Sequence, residues 1–105
     1  MEHIIDIVIQ RKETMGVIRK HYYVSGRVQG VGFRYRAYHT ANSLRLTGYV
    51  KNLYDGRVEL EVQGERDMVE RFLGMVEQGT WIHIDGIESE NMDVIEDERS
   101  FRTEY

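Results

Sequence analysis

Residues 18–45 read IRKHYYVSGRVQGVGFRYRAYHTANSLR, and within this stretch the spacing of the apolar residues changes. In the first part the apolar residues share one parity, which is typical of a strand with one buried face: they are Ile18, Tyr22, Val24 and Val28. Over residues 33–45 they recur every three or four positions, as in an amphipathic helix: they are Phe33, Ala37, Ala41 and Leu44. The stretch therefore predicts a strand, a short loop and a helix.

The rest of the chain extends this pattern. Residues 47–53 and 57–63 are predicted strands, joined by a hairpin turn at Asp55-Gly56. A second helix is predicted over residues 69–79, and further strands at residues 82–87 and 101–105. The order β-α-β-β-α-β predicts an α+β fold of the ferredoxin-like, split β-α-β type, with right-handed crossovers and both helices on one face of an antiparallel sheet.

Composition is typical of a soluble globular protein with one domain. Of the 105 residues, 41% are hydrophobic and 30% are charged, which is usual for one compact domain. No apolar run approaches the roughly 18 residues of a membrane helix, and we predict no signal peptide because the first residues lack a basic start and a cleavage site. The absence of cysteine excludes disulfides, thiolate metal sites and cysteine nucleophiles, and it favours a cytoplasmic location.

The charges are unevenly distributed along the chain. Residues 27–57 contain six Arg and Lys against the single acid Asp55, whereas residues 58–105 contain four arginines against fourteen acids. A short basic zone in a chain of net charge −4 favours a small anionic ligand, because a nucleic-acid track needs a broader basic surface. The alternative is that these charges lie on solvated faces and bind nothing.

The junction between the first predicted strand and helix reads GRVQGVGFR, residues 26–34. Its three glycines allow the loop to turn N–H groups toward an anion, and the start of a helix adds unpaired N–H groups and a partial positive charge. Arg34 adds a guanidinium suited to phosphate oxygens. The spacing is neither that of a Walker A loop nor the dinucleotide pattern GxGxxG. These residues indicate a phosphate site, and a turn without a ligand is the alternative.

Two motifs resemble the signatures of the acylphosphatase family. The stretch VSGRVQGVGFR, residues 24–34, is similar to the family pattern G-x-V-Q-G-V-x-F-R. The stretch GYVKNLYDGRVELEVQG, residues 48–64, is similar to the second family pattern. The resemblance covers about residues 18–79, and it implies the same fold that the periodicity predicts.

The resemblance implies hydrolysis of acyl phosphates to carboxylate and inorganic phosphate, without a metal or cofactor. It implies that Arg34 binds the phosphate and that Asn52 orients the attacking water. The backbone N–H groups expected to hold the phosphoryl oxygens belong to Gln29, Gly30, Val31, Gly32 and Phe33. Neither motif supplies a general base, which fits proton transfer from the water to a phosphate oxygen of the substrate. The acyl group has no recognisable pocket signature, so we expect broad selectivity.

Two other functions remain open on sequence alone. One is an RNA-binding module, since GVGFRY loosely resembles the aromatic signature of RNA recognition motifs, although here it precedes the first helix. The other is an anion sensor that binds an acyl phosphate without turnover. A serine nucleophile is not expected, because Ser25 has no His and Asp partners in motif spacing. His21, His39 and His83 stand singly, without metal-ligand spacing.

The two ends of the chain fit the family pattern less well. Residues 1–14 are predicted to be an N-terminal extension, either flexible or with a strand at residues 4–9, preceding a domain of residues 15–105. A monomer is expected, and an exposed strand in the extension would allow a dimer. Toward the other end, the acidic run Glu96-Asp97-Glu98 precedes a short final strand, which is predicted to lie in the sheet.

Overall fold

A computed structural model describes residues 16–105 of the chain. The predicted extension of residues 1–14, with its strand at residues 4–9, lies outside the described residues, so a dimer through it stays a prediction. The described part consists of five strands and two helices. The elements are β1 (Val17–Arg27), α1 (Phe33–Ser43), β2 (Thr47–Asn52), β3 (Val58–Glu65), α2 (Arg66–Glu77), β4 (His83–Met92) and β5 (Phe101–Glu104).

The strands form one sheet in the order β4-β1-β3-β2-β5. β1 lies antiparallel to β3 and β4, and β2 lies antiparallel to β3. The predicted α+β, ferredoxin-like class is confirmed, but the sheet is mixed rather than wholly antiparallel. β5 runs parallel to β2, with Phe101 opposite Gly48, because the chain after β4 crosses from one edge of the sheet to the other.

Both helices pack on one face of the sheet and form the core with it. Phe33 of α1 and Phe72 of α2 are almost fully buried against the valines and leucine of the central strands. The Phe72 ring also lies 6.1 Å from the ring of Phe101, which ties β5 to α2. Burial of side chains of this size contributes about 1.5–3 kcal/mol each. Burial of Phe33, the first residue of α1, therefore anchors the start of that helix.

The end of α2 is bonded to the start of α1. The Arg36 guanidinium donates hydrogen bonds to the carbonyl of Met75 (2.8 Å from Nη2) and to that of Val76 (3.0 Å from Nε). Carbonyls in the last turn of a helix have no partner within the helix. Here they accept from the backbone N–H groups of Gln78 and Gly79, and Arg36 adds a second donor to each. α2 ends at Glu77, with Gln78 as its cap, two residues before the predicted end at residue 79. Gly79 leaves room beside the Arg36 side chain.

Residues 93–100, here called the crossing segment, lie over the sheet face opposite the helices. Gln63 of β3 exchanges two hydrogen bonds of 2.8 Å with the backbone of Ile95. Arg19 of β1, only 3% exposed, donates to Glu61 at 2.6 Å and to Glu98 at 2.7 Å. Burial alone would raise the pKa of the Glu98 carboxyl, but the hydrogen bonds from Arg19 outweigh it and hold the pKa below its ordinary value. Glu98, the last residue of the acidic run, is therefore held by a buried arginine.

Candidate active site

The loop between β1 and α1 has the positive φ angles that its glycines suggest. Gly30 and Gly32 have φ angles of 73° and 80°, in the left-handed region that other residues adopt only at a cost. Gly32 is also the N-cap of α1, and its carbonyl accepts the first helical hydrogen bond, from the Arg36 N–H at 3.0 Å. The N–H groups of Phe33, Arg34 and Tyr35 have no backbone acceptor among the described residues. The loop thus presents free donors at a helix N-terminus.

Glycine is needed at Gly26 for a different reason than at the other two positions of the motif. It lies at a bulge where the register between β1 and β4 shifts. A Cβ atom there would meet the backbone carbonyl of His83 and the backbone nitrogen of Asp85. Gly26 is therefore required by close strand packing, whereas a Cβ at Gly30 or Gly32 would point into open space.

Gln29 fixes the loop to the β2–β3 hairpin. Its side-chain amide donates to the carbonyls of Leu53 and Arg57, both at 2.8 Å. Leu53 directly follows Asn52, the last residue of β2, which lies opposite Val58 of β3. The turn itself is held by Asp55, whose carboxylate accepts from the N–H (3.1 Å) and the guanidinium (2.8 Å) of Arg57, and these bonds lower the pKa of Asp55. The glycine loop and Asn52 are thus parts of one connected unit.

A cavity of about 380 Å³ opens where the glycine loop, α1, β2 and β5 meet. Five of the residues expected at the site line it, namely Gly30, Gly32, Phe33, Arg34 and Asn52. Gln29 and Val31 do not line it: Gln29 braces the hairpin, and Val31 packs against the core and borders a neighbouring groove. Five further residues that were not expected at the site also line the cavity: Val28, Tyr35, Tyr38, Thr103 and Tyr105.

Local spacing accounts for only some of these additional residues. Tyr38 follows Arg34 by four positions on a helix, which places the two on one face, so helical spacing was a usable signal. Thr103 and Tyr105 reach the cavity because β5 lies beside β2. No local pattern shows that placement.

The electrostatics of the cavity depend on Arg34 and Asn52. Arg34 is the one charged side chain among the described residues that line it. Its guanidinium carbon lies 4.8 Å from the centre of the Tyr105 ring, an attractive cation–π contact. The Asn52 side-chain oxygen is buried and accepts no hydrogen bond from the described residues. A buried acceptor without a donor is unfavourable, so this oxygen is suited to a water or a ligand N–H or O–H.

The three histidines among residues 16–105 lie apart from this cavity. The ring of His21 is 2.7 Å from Glu59, and that of His83 is 3.0 Å from Asp85. His39 packs against tyrosines on the surface of α1. Between residues 16 and 105, no group of three or more His, Asp or Glu is arranged to hold a metal ion. Within the same range, no helix is long and apolar enough to span a membrane.

Comparison with known proteins identifies the family. The sequence profile of the acylphosphatase family matches residues 20–103, which is most of the chain and includes both motifs. This chain belongs to the acylphosphatase family.

Individual acylphosphatases agree with this assignment. The acylphosphatase of Geobacillus thermodenitrificans is 48% identical over 88 residues, covering 83% of this chain and 94% of that protein. The crystal structure of the acylphosphatase from Bacillus subtilis superposes with a TM-score of 0.77 at 34% identity, covering 84% of this chain and 99% of that one. The acylphosphatase from Coxiella burnetii gives the same TM-score at 37% identity, covering 87% and 96%.

As a member of the acylphosphatase family, the chain is an enzyme that hydrolyses acyl phosphates. These small molecules are carboxylic–phosphoric mixed anhydrides, and the products are a carboxylate and inorganic phosphate. The comparisons therefore favour hydrolysis over the RNA-binding and anion-sensor hypotheses.

Proposed function

We propose that the glycine loop and Arg34 bind the phosphoryl group of the acyl phosphate and that Asn52 orients the attacking water. The observation that carries this proposal is the single cavity lined by Gly30, Gly32, Phe33, Arg34 and Asn52. The loop offers N–H donors at a helix N-terminus, a common phosphate site. Gln29 and Val31 contribute backbone N–H groups to the same loop, and the Gln29 side chain holds the loop against the hairpin.

The proposed step is an in-line displacement at phosphorus. The water oxygen forms a bond to phosphorus while the bond from phosphorus to the acyl oxygen breaks, and the carboxylate leaves. Because a carboxylate is a good leaving group, no acid has to protonate it. The transition state of phosphoryl transfer spreads charge over the three equatorial oxygens, and the loop N–H groups and the Arg34 guanidinium stabilise that charge.

Asn52 is suited to orient the water. Its amide is uncharged, so it does not repel the phosphoryl dianion, and it can both donate and accept hydrogen bonds. Its buried, unpartnered oxygen provides an acceptor for one water proton. No Asp, Glu or His lines the cavity among the described residues. We therefore assign the other proton of the water to a phosphate oxygen of the substrate.

We further propose that the reaction uses no metal or cofactor and that the enzyme acts as a cytoplasmic monomer, without nucleic acid or membrane. Arg34 and the loop donors supply the positive charge that a metal would otherwise provide. The cysteine-free composition and the net charge of −4 support the location and the absence of a nucleic-acid partner. A concentration-dependent dimer in sedimentation of the full chain would contradict the monomer.

The test measures hydrolysis of benzoyl phosphate with a chelator present, together with binding of inorganic phosphate. We expect the wild type to turn over in chelator. Arg34→Ala should lose both phosphate affinity and rate. Asn52→Ala should retain phosphate binding and lose about 10²-fold in kcat, the scale of the cost of misplacing a reacting group, here the attacking water.

Two exposed residues provide matched controls. Arg71→Ala removes an arginine from the surface of α2, and Asn42→Ala removes an asparagine from α1; neither residue lines the cavity. Both variants should keep wild-type kcat and KM. Wild-type turnover by Asn52→Ala would refute its role, and loss of wild-type activity in chelator would refute the metal-free reaction.

A further inference from the structure

Three tyrosines stand around the candidate active site, and the core does not account for them. They are Tyr35, Tyr38 and Tyr105, here called the tyrosine rim, and all three line the cavity that contains Arg34. Their exposed fractions are 73%, 39% and 93%, so they contribute little to folding. Exposed aromatic side chains gathered at one cavity usually mark a binding surface.

Packing orders two members of the tyrosine rim. The His39 ring lies 4.4 Å from the ring of Tyr35 and 5.3 Å from that of Tyr38, tilted to the first and edge-on to the second. Both tyrosine rings therefore pack against the same imidazole, and this contact limits the rotation of their side chains. Tyr105 comes from the opposite side, after β5, and its ring lies over the Arg34 guanidinium. The rim thus borders the cavity from both α1 and the end of β5.

The cavity is larger than a phosphoryl group requires. At about 30 Å³ of liquid volume per water, its volume of about 380 Å³ is that of roughly twelve waters. A phosphoryl group at Arg34 and the loop fills only a part of it. The remaining wall consists of the tyrosine rim, Val28 and Thr103, all of which are uncharged.

In contrast to the broad selectivity expected from the sequence, we propose that the tyrosine rim binds the acyl group and makes this enzyme selective for acyl phosphates with a flat, uncharged, aromatic acyl group. The proposal rests on the proposed function, in which Arg34 is occupied by the phosphoryl group. Aromatic rings of the substrate can then stack on the rim. An acyl group with its own phosphate or carboxylate finds no second cation on the described wall, and a charge without a partner is costly to desolvate. Small acyl groups such as acetyl leave the rim uncovered.

The test compares kcat/KM for benzoyl phosphate and acetyl phosphate, which share the phosphoryl group and differ in the acyl group. We expect the wild type to favour benzoyl phosphate by at least about 10-fold. Tyr38→Ala and Tyr105→Ala should each reduce that preference by about 2- to 10-fold, the range typical of one aromatic pair. The kcat/KM of Tyr38→Ala for acetyl phosphate should stay near wild type, which also shows that this variant is folded. Tyr105→Ala also loses the ring over the Arg34 guanidinium, so for that variant only the ratio of the two kcat/KM values is compared.

Tyr54→Ala is the matched control, because Tyr54 is an exposed tyrosine that does not line the cavity. It should keep the wild-type preference. Equal kcat/KM for the two substrates in the wild type, or an unchanged preference in both rim variants, would overturn the selectivity while leaving the hydrolase intact. Absence of hydrolysis of either substrate would overturn the proposed function itself.

Discussion

Replacing Gln29 by methionine tests whether activity depends on hydrogen bonds that lie outside the cavity and join the glycine loop to the β2–β3 hairpin. Methionine has a similar length and no donor, so the variant loses two hydrogen bonds of 2.8 Å to the Leu53 and Arg57 carbonyls. Each carbonyl keeps one other donor, since Leu53 O accepts from Gly56 and Arg57 O from Leu53. No buried acceptor is orphaned, so the two losses should total about 2 kcal/mol of unfolding free energy, at about 1 kcal/mol for each neutral hydrogen bond.

For a domain of this size that loss lowers Tm by about 10 °C, at roughly 4–8 °C per kcal/mol. The Gln29→Met variant should also lose about 10-fold in kcat at temperatures where it is fully folded, because a displacement of about 1 Å between reacting groups can cost about 10²-fold. Calorimetry and benzoyl phosphate hydrolysis measure the two effects. Gln78→Met, at the exposed cap of α2, is the control and should change neither.

Two results would refute this reasoning in different ways. An unchanged Tm for Gln29→Met would mean that the two hydrogen bonds contribute nothing net to stability. A lowered Tm with wild-type kcat would mean that the two Gln29 hydrogen bonds stabilise the loop without aligning it with Asn52.

Two further predictions concern backbone and charge. Gly26→Ala should prevent stable folding, because its Cβ would meet the His83 carbonyl. Gly30→Ala should lower the free energy of unfolding by only about 1–2 kcal/mol, the cost of left-handed strain. Equal losses of unfolding free energy for the two variants in urea would contradict this difference. Because the pKa of Glu98 is lowered in the folded state by Arg19, its contribution to stability is complete above its ordinary pKa of 4.5 and is lost as the pH falls below it. Glu98→Gln should therefore be less stable than wild type at pH 7 and lose less stability in acid, and parallel pH profiles of Tm would count against the ion pair.

Local sequence patterns were sufficient for the elements around the phosphate loop. The change of period between Val28 and Phe33 marks the junction of β1 and α1, because a strand and a helix bury residues at different spacings. Phe33 and Ala37 are buried as the helical spacing requires. Gly30 and Gly32 have the positive φ angles that a glycine-rich loop suggests.

The same patterns were not sufficient for interactions between distant segments. Nothing near Phe101 shows that β5 lies parallel to β2, since that depends on where the crossing segment lies. Gln29 was expected at the site through its backbone N–H, but its side chain contacts the hairpin about 24 residues away, a pairing without local periodicity. The three glycines of one motif also proved different, because Gly26 is constrained by a neighbouring strand that the sequence places almost 60 residues later.

The crossing segment has a consequence for the order in which the protein folds. The bond between Arg19 and Glu98 joins residues 79 positions apart, and contacts of such separation form late because closing a long loop costs entropy before it is repaid. Thr103 and Tyr105 follow this segment, so they reach the cavity only after it has docked on the sheet. The phosphate loop and Asn52 belong to parts of the chain that can assemble earlier. We therefore expect refolding chains to bind phosphate before they distinguish one acyl group from another.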